Sequence, residues 1–348
     1  MEHLGIQVQT VFAELVERLQ ARAATRTVAN LSGSFVTKTV KGRVYWYFKT
    51  SVPSRGQIEY YLGPDSPALR GVAEAHRRGR LADAAEDAGI AELCGMMRAA
   101  RAMLLDSASA RVVRALAEAG VFELGGVLVG THAFLAIGNV LGVRWSRGTR
   151  TQDVDIAAPR NLSLVVPRLE ADVPSVLDSL DMGFLPVPAL DPRRPSTSFK
   201  VRGRELRVDV LTPLERGPER GPVQIPRLNL AATPLRFLGY LLEEPITTAV
   251  LDGGATLVRV PDPARFALHK LLLSVRRPVA EQTKAAKDRM QAAELLELLA
   301  AERPDEVRVA MERLRDSYPS AVRYVSQGAR RLAEGAARDL VLRLTEGS

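Results

Sequence analysis

Three carboxylates stand where they could do chemistry together. Asp153 and Asp155 lie two apart in Thr151-Gln152-Asp153-Val154-Asp155-Ile156, and Asp209 lies in Leu206-Arg207-Val208-Asp209-Val210-Leu211. In a strand, residues two apart project from one face. Asp153 and Asp155 would then share a face while Val154 and Ile156 turn to a core. Two carboxylates side by side repel, and burial worsens the repulsion; a divalent cation between them removes the conflict. Carboxylate and water oxygens suit Mg2+ or Mn2+, and magnesium takes few protein ligands and completes its shell with substrate phosphates. Asp209 repeats the pattern, sharing a face with Arg207 opposite Leu206, Val208 and Val210. On a neighbouring strand it would complete a three-carboxylate cluster. Two ions roughly 3.5–4 Å apart could then clamp the attacking and leaving oxygens of an in-line displacement. Asp153 and Asp155 would hold the nucleotide-side ion and share the second. Asp209 would hold the nucleophile-side ion and help deprotonate the acceptor.

The elements that must position these groups begin upstream. Val127-Leu128-Val129 is an apolar strand that breaks at Gly130-Thr131, and Ala133-Phe134-Leu135-Ala136-Ile137 continues as a helix. Backbone N–H groups at such a helix N-terminus bind phosphate oxygens. Gly130 lets the backbone approach closely, and Thr131 adds a hydroxyl. The chain contains neither Gly-x-x-x-x-Gly-Lys-Ser/Thr nor Gly-x-Gly-x-x-Gly here, so this is not a P-loop or a dinucleotide fingerprint. Further along, Pro261-Asp262-Pro263 starts a helix whose core face is Ala267, Leu268, Leu271 and Leu272, with His269 and Lys270 among them.

The 348 residues predict two or three domains: residues 1–118, 119–230 and 231–348. Gln7 to Ala24 reads as an amphipathic helix. Ser34–Val40, Arg43–Lys49 and Gln57–Leu62 read as three antiparallel strands, with Lys41-Gly42 and Pro53-Ser54-Arg55-Gly56 as turns. Residues 66–120 read as helices, 120–230 as strands mixed with turns, and everything from Pro261 to Leu344 as helices. Net charge is +8 and the pI about 9.9, which makes nucleic acid the first partner to consider and an anionic nucleotide the second. Cys94 is the only cysteine, so one chain can form neither a disulfide framework nor a cysteine zinc site; beside Leu93 and Met96-Met97 it reads as a small buried hydrophobe. The start Met-Glu-His-Leu-Gly lacks a signal-peptide pattern, and no apolar run approaches a membrane span. The expected location is the cytoplasm.

At Gly130-Thr131-His132-Ala133-Phe134, Asn139-Val140-Leu141-Gly142-Val143 and Arg150-Thr151-Gln152-Asp153-Val154-Asp155 the chain resembles the DNA polymerase beta-like nucleotidyltransferase superfamily, and within it bacterial standalone nucleotidyltransferase-fold proteins. A more distant similarity is to abortive-infection nucleotidyltransferase toxins, through Arg150 to Asp155, Phe266-Ala267-Leu268-His269-Lys270-Leu271 and Lys287-Asp288. The resemblance covers about residues 120–230 and extends loosely to 298. It implies an α+β fold: a polymerase beta-like core, a short mixed sheet with helices, flanked by the small N-terminal sheet and a C-terminal helical region that closes the nucleotide cleft. It also implies that Gly130, Thr131, Arg150, Thr151 and Lys270 contact the nucleotide, and that Lys287 and Asp288 support the site. The interval from Gly130 to Asp153 is longer than in most relatives, and residues 138–148 would extend the helix and loop.

The expected reaction moves a nucleoside monophosphate from an NTP to an acceptor and releases pyrophosphate. The acceptor is open: RNA, including a tRNA end as in a toxin or defence element, or a protein or small molecule such as an antibiotic. A nucleic-acid-binding module with a vestigial site is the third reading. RNA is favoured by the N-terminal strands, where Lys38, Arg43 and Lys49 interleave with Tyr45, Trp46 and Tyr47; basic and aromatic side chains on a small sheet can track phosphates and stack bases. The same sheet could equally form a dimer contact.

Overall fold

The computed structural model describes residues 1–24, 33–52, 56–149, 151–159, 171–188, 191, 194–214, 217 and 221–346. Arg150 and the turn residues 53–55 lie outside them. The fold is α+β. The strand β1 (Glu2–His3) and the helix α1 (Ile6–Ala24) precede an antiparallel sheet of β2 (Ser34–Val40), β3 (Arg43–Val52) and β4 (Gly56–Pro64) in that order. The strands fall where alternating β-branched and aromatic residues put them. The long helix α2 (Pro67–Ala99) is started by Ser66, whose hydroxyl accepts from the Leu69 amide, with proline in the first turn. Asp106 caps α3 (Ser107–Glu118) in the same way.

The central sheet contains β5 (Val127–Val129), β7 (Asp153–Ala157), β10 (Arg207–Pro213), β12 (Leu230–Leu235) and β11 (Val223–Ile225), adjacent in that order. Between them in sequence lie α4 (Gly130–Val140), β6 (Val143–Arg144), α5 (Val173–Asp178), β8 (Phe184–Pro186) and β9 (Ser198–Val201). One side of β10 pairs in parallel with β7. The other is shared: β9 runs antiparallel along residues 207–209, and β12 runs parallel along 211–213. Along β10, Val208, Val210 and Thr212 are buried and Arg207, Asp209 and Leu211 are half-buried, the two-residue alternation expected of a strand with one core face.

A short helix α6 (Leu238–Leu242) leads to a hairpin of β13 (Ile246–Leu251) and β14 (Ala255–Val260), and then to α7 (Pro263–Arg276), α8 (Gln282–Glu302), α9 (Pro304–Ser317), α10 (Pro319–Ala329) and α11 (Ala336–Glu346). The hairpin lies before Pro261, where the expected run of helices begins. One hydrophobic core runs from Leu105 to Val341 and includes both the central strands and α7 to α11. A second, smaller cluster joins Phe12, Leu15 and Leu19 of α1 to Leu93, Cys94 and Met97 of α2 and to Leu251; Cys94 is the buried hydrophobe its surroundings predict. Among the described residues no helix is long and apolar enough to cross a membrane.

Candidate active site

The register of three strands brings the aspartates together. In the parallel pair of β7 and β10, Asp155 stands directly opposite Asp209 and Asp153 opposite Arg207. In the antiparallel pair of β5 and β7, Val129 stands opposite Asp155. Asp155 is therefore the middle residue of a row that starts where β5 turns into α4 and ends at Asp209. Val154, Ile156, Val208 and Val210 are buried and lock this register, because a slip of either strand by one residue would send its own carboxylates into the core.

Gly130 is the residue that the turn into α4 requires. Its φ is +67°, and a Cβ there would lie 2.1 Å from Asp155 Oδ2, so the carboxylate rests directly on the first residue of the helix. The first turn of α4 leaves backbone N–H groups without intrahelical partners. Thr131 is buried and its hydroxyl accepts from Gln291 Nε2 at 3.3 Å. His132 is buried too, its ring hydrogen-bonded to the backbone of Asp153, and burial pulls the imidazole down to about 4. It is a neutral strut between α4 and β7 rather than an acid or base at neutral pH.

The segment between α4 and β7 is pinned from both sides. Trp145 stacks on Phe134 at 4.6 Å and donates from Nε1 to the Phe134 carbonyl, filling the space that a side chain at Gly138 would take. Ser146 donates from its amide and hydroxyl to Glu294, and the Gly148 carbonyl accepts from Gln291 at 2.8 Å. Thr151 Oγ1 accepts from the Asp153 amide at 3.1 Å. Its hydroxyl thus shapes the entry into β7, a role the sequence did not suggest. Arg150, the other residue expected there, falls outside the described residues.

The helices α7 and α8 bring positive charge to these strands. Lys270 is 7% exposed and donates to Asp288 Oδ1 at 2.6 Å; Asp288, 3% exposed, also accepts from Arg277 at 2.8 Å. Burial alone would raise the Asp288 carboxyl, but Lys270 and Arg277 outweigh it and hold it below the usual carboxylate range. Asp288 is thus a buried counter-ion that orients Lys270, not the exposed partner that a Lys-Asp pair on a helix also suggests. Burial lowers the Lys287 ammonium, and Lys270 adds to the lowering, while Asp153, Asp288 and Asp155 act against it. His269 is buried and pulled down to about 3 by burial and then by Lys270, which leaves it a packing residue.

The carboxylates carry the matching strain. Burial, and then the facing Asp209, push the Asp155 carboxyl up to about 7; Lys270 and Lys284 oppose that rise and Asp153 adds to it. Asp209 accepts from Arg207 Nε at 2.8 Å, and the same nitrogen reaches Ser198 Oγ at 2.6 Å. A hard, all-oxygen set of carboxylate donors fits Mg2+ or Mn2+. Among the described residues no three acidic, histidine or cysteine side chains already converge on one ligand point, and Asp209 is turned to Arg207. A third ligand from β10 would have to leave that guanidinium.

Asp153, Asp155 and Asp209 lie on the adjacent strands β7 and β10, Gly130 and Thr131 open α4 beside them, and Lys270, Lys287 and Asp288 come from α7 and α8. Arg207, Lys284, Gln291 and Glu294 were not expected to take part. Lys284, Asp288, Gln291 and Glu294 recur at helical spacing, so one face of α8 points at the site; that spacing was the available signal.

A family model described as Nucleotidyltransferase matches residues 107–316, more than half of the chain. No curated protein matches. Among solved structures, an antigenic nucleotidyltransferase-like protein from Paracoccidioides brasiliensis is similar at 15% identity with a TM-score of 0.32, over 64% of this chain and 94% of that one.

Proposed function

Because the chain belongs to this nucleotidyltransferase family, we propose that its three-aspartate face transfers a nucleoside monophosphate from an NTP to an acceptor hydroxyl, with RNA as the acceptor. The observation that carries the proposal is Asp155 seated between the glycine start of α4 and Asp209 on the next strand. The triphosphate lies against the first turn of α4, where free N–H groups receive its oxygens. Lys270, oriented by Asp288, and Lys287 bring positive charge to the same place and stabilise charge that builds on the phosphates. The acceptor oxygen forms its bond to the α-phosphorus as the bond from that phosphorus to the β-phosphate bridge breaks; pyrophosphate leaves with the electron pair. Asp209 takes the acceptor's proton. Asp153, Asp155 and Asp209 would hold Mg2+ or Mn2+, which when bound neutralises the phosphate oxygens and favours an in-line path. Positioning and electrostatics carry the rate.

The test incubates the purified protein with divalent metal, each α-labelled NTP, total bacterial RNA and a protein lysate. Label should enter RNA and be lost in Asp153→Ala/Asp155→Ala. Label in protein would move the acceptor to a polypeptide. Equal signal from wild type and variant would sink the catalytic reading.

A further inference from the structure

The small sheet of β2, β3 and β4 has one face that the fold uses and one that it leaves open. The strand register places Phe35 opposite Phe48, and these rings meet edge-on at 5.0 Å. His76 of α2 inserts between them, 5.1 Å from Phe35 and 5.9 Å from Phe48. Trp46, on the same side, is tied through Nε1 to Asp65 at 2.8 Å. That face is satisfied by the helix.

The opposite face carries Lys38, Arg43, Tyr45, Tyr47, Lys49 and Tyr61. Cross-strand pairing sets Lys38 beside Tyr45 and Tyr47 beside Tyr61. The Tyr61 ring lies 6.2 Å from Tyr45 and 5.4 Å from Tyr47, and the Lys38 ammonium sits 4.8 Å over the Tyr47 ring. Tyr61 is 58% exposed. Glu59 pairs with Lys38, which leaves Arg43 and Lys49 in excess on a chain of net charge +8.

We propose that this face binds single-stranded RNA and so presents the acceptor strand; the inference rests on the nucleotidyl-transfer reading above and names the surface that would hold its acceptor. Three tyrosine rings in a row supply stacking surfaces that suit any base, and the cations beside them follow a phosphate backbone. Tyrosine is common at the centre of protein interfaces, but lysine is depleted there; here a lysine sits directly over the Tyr47 ring, which favours an anionic partner. RNA fits better than DNA because its 2′-hydroxyl gives the tyrosine hydroxyls a partner that DNA lacks.

The test measures binding of a fluorescent single-stranded RNA of about a dozen nucleotides to the full chain by polarisation over a salt series. Lys38→Gln/Arg43→Gln/Lys49→Gln changes only exposed or half-exposed side chains, and circular dichroism checks that it folds. It should bind at least about tenfold more weakly, with a salt slope shallower by about 2, since each contact on a single strand contributes about 0.7. Tyr45→Ala/Tyr61→Ala should weaken binding with the slope kept. Asp153→Ala/Asp155→Ala should bind RNA as the wild type does, so a failure of catalysis shows as lost labelling with binding intact. Equal binding by the glutamine variant overturns the proposal. So does equal affinity for a deoxy strand of the same sequence, or a wild-type dimer that the glutamine variant makes monomeric in sedimentation.

Discussion

Placing a single methyl group on Gly130 would separate two penalties that the native residue avoids together. At φ +67° any other residue pays about 1–2 kcal/mol for left-handed backbone. The new Cβ would also stand 2.1 Å from Asp155 Oδ2 and 3.1 Å from its Cγ, so the carboxylate must retreat by about 1 Å to reach ordinary contact. Forced repacking of this kind costs about 1–3 kcal/mol, and a 1 Å misplacement of a reacting group can cost about 100-fold in rate. Gly183 is the control: φ is +76° and nothing lies within 4 Å of its Cβ position. Gly183→Ala should therefore lose about 1–2 kcal/mol and no activity. Gly130→Ala should lose about 2–5 kcal/mol and about 100-fold in label transfer. Adding Asp155→Ala to Gly130→Ala should bring stability back toward the control, because the two positions are coupled through one contact. Urea denaturation gives the stabilities and single-turnover transfer of labelled nucleotide gives the rates. Wild-type turnover by Gly130→Ala would refute the claim that Asp155 must sit against the start of α4.

Two more outcomes follow from the charges at the site. Asp155 titrates at about 7 in the folded protein and near 4 in the unfolded chain, so between those values the folded state holds a proton that the unfolded state has released. Metal-free protein should lose stability as pH rises from about 4 to 7 and stay at the lower level above that; Asp155→Asn should flatten the decline in denaturation at about pH 5 and 8, and an identical slope in both proteins would remove Asp155 as its cause. Asp288→Asn leaves buried Lys270 and partly buried Arg277 short of their shared counter-charge and should cost about 3–5 kcal/mol; a loss under about 1 kcal/mol in urea titration would mean that water already serves these cations.

The aspartates could be read from sequence because strand periodicity is a local rule: Val154 and Ile156 must go inward, so Asp153 and Asp155 cannot. Gly130 was legible for a similar reason, as the glycine where an apolar strand stops and a helix starts. Lys270 and Asp288 came from family resemblance alone, since no local rule joins residues on two different helices. Arg207 was seen to share a face with Asp209, but its guanidinium on that carboxylate depends on Ser198 from β9, a strand whose pairing no short motif reveals. The polar residues of α8 recur at helical spacing, but a solvated helix face shows the same spacing, and it is the packing on the Gly148 loop and on Thr131 that tells the two apart. The hairpin of β13 and β14 did carry a signal, Asp252-Gly253-Gly254 between β-branched residues, but it sits in a stretch otherwise made of helices.

The reach of Gln291 and Glu294 back to Thr131, Ser146 and Gly148 has a consequence for how the molecule is made. Those bonds close over 160, 148 and 143 positions of chain. A chain leaves the ribosome N-terminus first, so all three aspartates emerge well before the helix that braces them and the lysine that faces them. Until α7 and α8 are released, the nascent protein holds Asp153 and Asp155 without the lysines that face them. A break in the chain between residues 230 and 282 would leave every aspartate of the site on one fragment and the helix that braces their site on the other.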